Sequence, residues 1–574
     1  MDDFLGVNIG GHDSSASHVR VVNGATTDVS IHLSERLTKF KHQGCFPFRA
    51  LKQLKRHLGP DWEAIPKDSV ATNSFQFHPA ELEQQFSDAD RAMIEFLGLE
   101  KTTLSMNPHA QFITHHLCHA YSSLWQNPFE KALIIVSDGS GNRNSDFVIN
   151  HEESHLMGGA PYACEYLSLY KFEHGELTPL EKKWLNYEEI EPQKFLTVNG
   201  LGSLFETASR VIFDDWSAAG KLMGLAAYGK ASPIPNQRDF VLKIARESFT
   251  KRSGKAAFDG QPPEEFTRRA DLAATVQNFF EEQMLALLRR TRDDYPDFEN
   301  VILTGGCALN CLLNSKILAA GIYKRVFIPP FPNDEGIGLG AAMAIAKKKG
   351  KIRFTPTGFE RMNPYLGAIA SLAQAQQDRV PQVFQDYEIA RPQNLTQQVA
   401  QLLAKNEIIA WVQGRSEVGP RALGNRSILV RPDTPGIKEK LNEKVKFRES
   451  FRPFGATILY HRTSEYFEVG DFFHSPFMTF CPKVRPEMAT KLAGVVHHDG
   501  TTRIQTLMRE QNARFYSLLE EFETLTGLPV LLNTSLNIMG EPILETIEDA
   551  ARFFRNSAIR TLVFGDYLIM KKDN

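Results

Sequence analysis

The chain has 574 residues, of which 42% are hydrophobic and 23% charged, and its formal net charge is -3. This length accommodates two or more domains with full hydrophobic cores, and a near-neutral charge without a long basic block argues against a nucleic-acid-binding scaffold. No run of about 18 apolar residues is present, so we expect no membrane span. Six scattered cysteines without a C-x-x-C pair, and an acidic start that lacks the basic residues of a signal peptide, predict a reduced cytoplasmic protein.

The first elements form a pattern that recurs about 130 residues later. Residues 3–9 are typical of a buried strand, and the polar turn GGHDSSA, a second strand SHVRVV and an Asn-Gly hairpin turn follow. The stretch KALIIVSDGSGNRNSDFVI repeats the order strand, glycine-rich turn, strand. This recurrence predicts a duplicated α/β domain.

Between the two units lies THHLCHAYSSLW, which carries three histidines. On a helix, His115 and His119 share one face, one turn apart, whereas His116 lies about 100° round the axis. The spacing can offer two nitrogen ligands to one metal ion, or the residues can be two ordinary hydrogen-bonded histidines. Asp138 and Asp334 each follow a strand, where α/β sheets place ligands. With the two histidines they would suit Fe, Mn, Zn or Co, unless each aspartate merely caps a turn.

The rest of this half is predicted to alternate helices and strands. A long helix starts at Asp271 as its N-cap, and the stretch NVILTGGCALNCLLN predicts a strand, a turn at Gly305-Gly306 and a helix. Three glycine-rich turns, at 10–15, 138–141 and 305–310, favour a nucleotide cleft over three ordinary surface turns. The pattern becomes irregular after about residue 352, so we place a domain boundary between 352 and 353.

A second α/β unit follows, beginning with a helix and strand in NLTQQVAQLLAKNEIIAWVQG; near its end LPVLLNTSLN predicts another strand and turn. Several of its basic residues stand beside glycine or proline, which favours ordered loops that bind anions over scattered surface salt bridges. Asn533 and Ser535 add hydrogen-bonding groups at a strand end. The basic set consists of Arg421, Arg426, Lys446, Arg448, Arg452 and Arg503.

Several of these stretches, in this order, resemble the O-carbamoyltransferases of nodulation-factor and antibiotic biosynthesis, the tobramycin carbamoyltransferase type. The matching segments include GGHDSSA, ERLTKFKH, HHLCHA, SDGSG, AGKLMGLAAYG, TGGCALNCLLN, NDEGIGLGAA, QGRSEVGPRALGNRSIL, VKFRESFRPF and LLNTSLN. The resemblance implies an N-terminal duplicated actin-like ATPase domain (ASKHA or Kae-like) in residues 1–352. It also implies a C-terminal YrdC-like α/β domain in residues 353–574.

The resemblance further implies a two-step reaction. ATP, with Mg²⁺, and carbamoyl phosphate would give carbamoyl-adenylate and pyrophosphate in the C-terminal domain. The N-terminal domain, with Fe²⁺ or another divalent transition metal, would then pass the carbamoyl group to a hydroxyl of a small acceptor. As partners we expect these substrates and a possible homodimer, with no nucleic acid and no membrane.

Carried over residue by residue, the resemblance assigns a role to each motif position. His12 would be the general base for the acceptor hydroxyl, because its ordinary pKa lies close to neutral. Lys446 and Arg503 would be catalytic as well as nucleotide-binding. The implied metal ligands are His115, His119, Asp138 and Asp334; the implied nucleotide contacts are Lys41, Gly305, Gly306, Asn310, Arg421, Arg426, Lys446, Arg452, Arg503, Asn533 and Ser535.

The chain also departs from the family pattern. Where the tobramycin-type enzyme has an acidic acceptor contact before GKLMG, this chain has Ser217, so we do not expect an aminoglycoside acceptor. Two other functions remain as alternatives: a transferase of the tRNA threonylcarbamoyl type, and a non-enzymatic nucleotide-binding switch built on the actin-like fold. Turnover of carbamoyl phosphate with ATP distinguishes the enzymes from the switch, and the acceptor distinguishes the two enzymes.

Overall fold

The computed structural model describes residues 1–9, 13–39, 41, 47–74, 111–144, 146, 153–158, 160–191, 194–247, 249, 258, 263–367, 370–470, 473–538 and 540–572. Within these ranges the chain forms a mixed α/β fold with three large sheets. No described helix is long and apolar enough to cross a membrane.

The first sheet has five strands in the order β3-β2-β1-β4-β5. β1 pairs antiparallel with β2 and parallel with β4. The turn between β2 and β3 is the predicted Asn23-Gly24 pair, and both residues have positive φ angles, 53° and 82°. The strands are β1 Asp2–Ile9, β2 Ser15–Val22, β3 Ala25–Leu33, β4 Val70–Ser74 and β5 Gln111–Phe112.

The second sheet repeats this topology. Its order is β12-β11-β6-β7-β8, and β6 pairs antiparallel with β7 and parallel with β11. The predicted duplication is therefore present, although the partner strand that the sequence placed at 146–149 lies almost entirely outside the described residues. A short hairpin of β9 Tyr187–Glu191 and β10 Lys194–Thr197 stands apart. The sheet strands are β6 Lys131–Ser137, β7 Glu165–Glu173, β8 Glu176–Trp184, β11 Asn300–Thr304 and β12 Arg325–Phe327.

The third sheet contains eight strands in the order β13-β20-β19-β14-β15-β18-β16-β17. The proposed boundary at 352 and 353 lies between the last strand of the second sheet and the first strand of this one. The strands are β13 Glu388–Ala390, β14 Ile409–Val412, β15 Arg426–Val430, β16 Gly455–Leu459, β17 Ile504–Leu507, β18 Val530–Ser535, β19 Thr561–Phe564 and β20 Tyr567–Met570.

The helices cover the sheets and connect their strands. The longest begins at Pro263, so the predicted start at Asp271 is wrong. Proline and two glutamates in the first turn start this helix earlier, and the Asp271 carboxylate instead accepts a hydrogen bond from the backbone N of Lys230. The described helices are Ser34–Thr38, Phe48–Leu58, His115–Ser123, Leu201–Phe213, Ala219–Ala226, Gln237–Ile244, Pro263–Asp294, Cys311–Ala320, Ile337–Lys348, Ala370–Asp378, Val380–Val383, Leu395–Ala404, Ile437–Lys444, Thr463–Tyr466, Ala513–Thr526 and Ile547–Asn556.

Close backbone contacts hold the two five-stranded sheets together. A Cβ atom at Gly6 of β1 would lie 1.8 Å from the carbonyl oxygen of Gly338, and one at Gly340 would lie 1.9 Å from that of Cys118. The helix Ile337–Lys348 thus touches β1 on one side and the histidine-bearing helix His115–Ser123 on the other. Its small residues, predicted from the sequence, permit this approach.

Candidate active site

The H-x-x-x-H segment forms the helix His115–Ser123, which follows β5 after a two-residue link. The imidazole rings of His115 and His119 lie on one face, with centroids 4.8 Å apart and ring planes at 84°. Both side chains are fully buried. The ring of His116 points elsewhere, and its Nδ1 lies 2.7 Å from the hydroxyl of Ser168.

Two carboxylates meet the histidine pair. Asp138 follows β6, and Asp334 begins a short 3-10 turn after β12, so both lie beyond the carboxyl ends of the two parallel strands that flank β11. His115 Nε2 is 3.1 Å from Asp138 Oδ2 and 3.3 Å from Asp334 Oδ1, and His119 Nε2 is 3.4 Å and 3.5 Å from the same atoms. One ligand atom from each residue lies within 4.8 Å of the other three.

The hydrogen bonding of this group fits a divalent metal ion. Neither ring nitrogen of buried His119 has a hydrogen-bond partner within the described part of the chain, and an unsatisfied buried nitrogen is costly unless a ligand takes it up. Asp138 keeps 13% of its side chain exposed, which leaves one open side. Two imidazoles and two carboxylates form a donor set suited to Fe²⁺, Mn²⁺, Zn²⁺ or Co²⁺.

The charges of the four residues depend on one another. Burial lowers the pKa of His115, but the carboxylates of Asp334 and Asp138 outweigh burial and raise it to about 10. Burial also raises the pKa of Asp138, but its interactions with His115 and His119 hold it well below its usual range. Without a metal, His115 is therefore protonated at neutral pH, and a metal ion must displace that proton.

The predicted Gly305-Gly306 turn lies beside Asp138. Gly305 has φ 86°, and a Cβ atom there would lie 2.3 Å from the carbonyl oxygen of Ser137, so only glycine fits. The backbone N of Gly306 donates to Asp138 Oδ1 at 3.0 Å. Asn310 caps the helix Cys311–Ala320 and forms a paired amide contact with Gln277. Its side-chain groups already have partners within the protein.

Most of the basic set converges on one end of the eight-stranded sheet. Arg421 lies in the loop before β15, Lys446 and Arg452 lie in the loop before β16, and Arg503 directly precedes β17. The strands β15, β18, β16 and β17 are adjacent in the sheet, so the loops before β15, β16 and β17 lie close together. Burial and the neighbouring Arg503 lower the pKa of Arg421 to about 9. Burial and Arg503 likewise lower the pKa of Arg452, although Glu449 opposes this shift. Such mutual repulsion among cations is typical of a site for a polyanion.

Lys446 is the most buried basic residue of this group. Its ammonium donates to the backbone oxygens of Ser535 at 2.6 Å and Asn537 at 2.9 Å, and to the Asn537 side chain at 2.5 Å. Burial, with Arg448 and Arg452 next, lowers its pKa well below the ordinary value. Lys446 thus fixes its loop to the end of β18 and places its side-chain nitrogen near Arg448 and Arg452.

Two of the predicted nucleotide contacts, Arg426 and Asn533, form hydrogen bonds within the protein. Arg426 donates to the carbonyl oxygens of Gln413 at 2.5 Å and Gly414 at 3.2 Å, so its guanidinium supports that turn. Asn533 donates to Thr457 Oγ1 at 3.0 Å, while its own carbonyl oxygen is buried without a partner among the described residues. Binding of nucleotide by these two residues stays a prediction.

Lys41 and His12 were assigned to the transfer site. Lys41 is exposed, yet burial lowers its pKa, and Arg452 and Arg421 are among the charges that lower it further. The effect of Arg452 and Arg421 on Lys41 places it near the cation cluster. His12 lies outside the described residues.

Sequence reasoning missed two contacts across the proposed boundary. Lys221 Nζ lies 3.6 Å from the buried carboxylate of Glu449, which in turn lies 3.7 Å from Arg452. The thiol of Cys311 pairs with that of Cys481, and this hydrogen bond, despite opposing burial, helps to lower the pKa of Cys311 to about 6. Each pair is more than 150 residues apart in the chain, so no local pattern signals it.

Comparison with known proteins agrees with the resemblance. The model described as carbamoyltransferase N-terminus matches residues 81–343, and the model described as carbamoyltransferase C-terminus matches residues 400–571. Nodulation protein NolNO of Sinorhizobium fredii is 31% identical over 562 residues, which cover 94% of this chain and 76% of that protein. Nodulation protein NolO of Bradyrhizobium diazoefficiens is 31% identical over 474 residues, covering 80% of this chain and 79% of that protein.

Among solved structures, full-length HypF in its phosphate- and nucleotide-bound form overlaps 60% of this chain and 55% of its own, at 14% identity and a TM-score of 0.36. An overlap at that score carries no argument. The sequence matches support a family assignment, because they extend in order over most of the chain and of its relatives. The chain therefore belongs to the carbamoyltransferase family and is a carbamoyltransferase.

Proposed function

We propose that the chain is an ATP-dependent O-carbamoyltransferase with two reaction sites. At the first, carbamoyl phosphate and ATP with Mg²⁺ give carbamoyl-adenylate and pyrophosphate. At the second, the carbamoyl group passes from the adenylate to a hydroxyl of a small acceptor, a sugar or another natural product. We assign the first site to residues 353–574 and the second to residues 1–352.

The cation cluster is the observation that carries the proposal. Arg421, Arg452 and Lys446 all have lowered pKa values, and burial and mutual repulsion are the causes. A triphosphate or carbamoyl phosphate would supply the missing negative charge. In this role the cations bind and orient the anionic substrates and stabilise the charge that develops on departing pyrophosphate. Arg503 completes the group, since its Nε is buried without a partner among the described residues.

The histidine and aspartate cluster supports the second site. In the proposed role, His115, His119, Asp138 and Asp334 hold Fe²⁺ or another divalent transition metal ion. When bound, such an ion would supply Lewis-acid chemistry. His12 accepts the proton of the acceptor hydroxyl, and Lys41 with the Gly305-Gly306 turn orients the nucleotide.

Contacts across the boundary suit a shared intermediate. Asn314 donates to the carbonyl oxygen of Thr479 at 3.0 Å, and the backbone N of Cys481 donates to Ser315 at 2.6 Å. These bonds join the helix Cys311–Ala320, next to Gly305 and Gly306, to the segment that leads to Arg503. Both proposed sites therefore adjoin the contact between the helix Cys311–Ala320 and the segment that leads to Arg503.

Pyrophosphate release tests the proposal. Purified protein with ATP, Mg²⁺ and carbamoyl phosphate should release pyrophosphate only when both substrates are present, and Lys446→Ala should abolish the release because the cluster loses its most buried charge. Lys444→Ala is the matched control: it removes an exposed lysine two residues away and should leave the rate unchanged. If wild type with every divalent metal released none, the proposed carbamoyl-adenylate route would be refuted.

The acceptor separates the two enzymatic alternatives. With ¹⁴C-labelled carbamoyl phosphate, label should pass to a hydroxyl-bearing small molecule from a panel of sugars and polyols. Transfer of label to tRNA instead would contradict the small-acceptor proposal and favour the tRNA alternative.

A further inference from the structure

A buried charged network adjoins the histidine-bearing helix and includes none of the four candidate ligands. Lys182 Nζ is 2.6 Å from Glu165 Oε2 and 2.9 Å from Glu153 Oε1. The same ammonium lies 3.2 Å from the hydroxyl of Ser168 and 3.1 Å from that of Tyr170. The three charged side chains have no solvent exposure. No step of the proposed reaction uses this network.

The network is bonded to the first turn of the helix His115–Ser123. The backbone N of His116 donates to Glu165 Oε1 at 3.2 Å, and that of His115 donates to Asn142 Oδ1 at 2.6 Å. Asn142 is itself tied to the network, because its backbone N donates to Glu165 Oε1 at 3.3 Å. The first N–H groups of a helix have no partner inside the helix, so these oxygens determine where its first turn lies.

The positive charge of Lys182 balances part of the negative charge of the two buried glutamates. One ammonium and two carboxylates leave one net negative charge near the helix N-terminus, where the helix dipole is positive. Burial lowers the pKa of Lys182, but the two glutamates outweigh burial and raise it above its ordinary value. Without Lys182, two carboxylates would be buried with no counter-ion, which is strongly destabilising for their present positions.

The glycine-rich turn DGSG leaves room for this network. A Cβ atom at Gly141 would lie 2.6 Å from Cγ of Glu165 and 3.0 Å from Cδ2 of His116. The same turn begins with Asp138, a candidate ligand. The network therefore borders both the helix that carries two ligands and the turn that carries a third.

We propose that Lys182 is a positioning residue of the transfer site: it holds Glu165 and Glu153 in place, and these fix the helix that presents His115 and His119 to the metal. The inference rests on the proposed function, because it assumes that the four residues bind a metal ion.

Metal affinity tests this role directly. The dissociation constant for Co²⁺ is measured by competition with a chelator, together with the visible absorption spectrum of bound Co²⁺. Lys182→Met should weaken Co²⁺ binding by about 10–100-fold, the usual effect of losing a residue that orients metal ligands, and should alter the spectrum. Pyrophosphate release should stay within about twofold, because it belongs to the other site.

Lys183→Met is the matched control. It removes the neighbouring ammonium, whose side chain is 40% exposed, and should change neither the affinity nor the spectrum. A folded Lys182→Met protein with wild-type Co²⁺ affinity and spectrum would overturn the inference while leaving the proposed metal site intact.

A second variant covers the case in which Lys182→Met does not fold. Glu165→Gln keeps the shape and one acceptor oxygen but removes the charge that Lys182 holds. At least a tenfold loss of Co²⁺ affinity would support the positioning role, and an unchanged affinity would overturn it. Wild-type protein that bound no divalent transition metal would remove the proposed metal role, and the positioning role with it.

Discussion

The protonation of His115 makes a quantitative prediction about metal binding. Its pKa is raised to about 10 by the carboxylates of Asp334 and Asp138, against the effect of burial. A metal ion binds only the deprotonated ring, so its apparent affinity should rise tenfold per pH unit as long as the pH is below that value. Between pH 7 and pH 9 the apparent dissociation constant should therefore fall by about 100-fold.

The assay is Co²⁺ binding followed by absorbance, in competition with a chelator whose own protonation is corrected for. His115→Ala should abolish specific binding, whereas His155→Ala, which removes an exposed histidine, should behave as wild type. A histidine with the ordinary pKa of about 6.5 would give less than a twofold change over the same range. An affinity that is flat between pH 7 and pH 9 would refute the reasoning.

Three further predictions concern stability. Gly340→Ala should lower the free energy of unfolding by about 3 kcal/mol in urea titrations, because its Cβ would lie 1.9 Å from the Cys118 carbonyl oxygen. The control Gly220→Ala has open space around it and should be neutral or stabilising by up to about 1 kcal/mol. Phe451→Ala should lower the free energy of unfolding by about 3–5 kcal/mol, since this buried ring packs with its centroid 4.9 Å from that of Phe258. The control Phe447→Ala removes an exposed ring and should lower it by less than about 0.5 kcal/mol. Equal urea midpoints for the two variants would contradict this prediction. The raised pKa of His115 adds stability that is fully present below the ordinary value and is lost as the pH rises through about 10. Metal-free wild type should therefore lose about 1.4 kcal/mol per pH unit relative to metal-free His115→Gln between pH 7 and pH 9, and parallel curves would contradict the assignment.

The metal-ligand candidates could be found from sequence because each signal is local. His115 and His119 are one helical turn apart, and Asp138 and Asp334 follow apolar strands, so helix geometry and strand ends suffice to single them out. The repeated strand order of the two five-stranded sheets was foreseen in the same way, from strand and turn residues that recur along the chain.

Other features depend on tertiary contacts that no local pattern encodes. The Asp271 cap was wrong because Pro263 and its acidic neighbours start the helix eight residues earlier. The guanidinium of Arg426 is bonded to the turn at Gln413 and Gly414, a contact that its sequence neighbours do not signal. Lys182 and Glu165 are distant in sequence from the helix they support. Only the folded chain brings them together.

Separation of the two reaction steps is the central claim, and one measurement tests it most directly. Wild type, His115→Ala and Lys446→Ala are each incubated with ATP, Mg²⁺ and ¹⁴C-labelled carbamoyl phosphate, quenched and analysed for labelled carbamoyl-adenylate and pyrophosphate. The account predicts that His115→Ala still forms both and accumulates the adenylate, because the transfer step lacks its metal ligand, whereas Lys446→Ala forms neither. Loss of adenylate and pyrophosphate in His115→Ala as complete as in Lys446→Ala would contradict two separate sites.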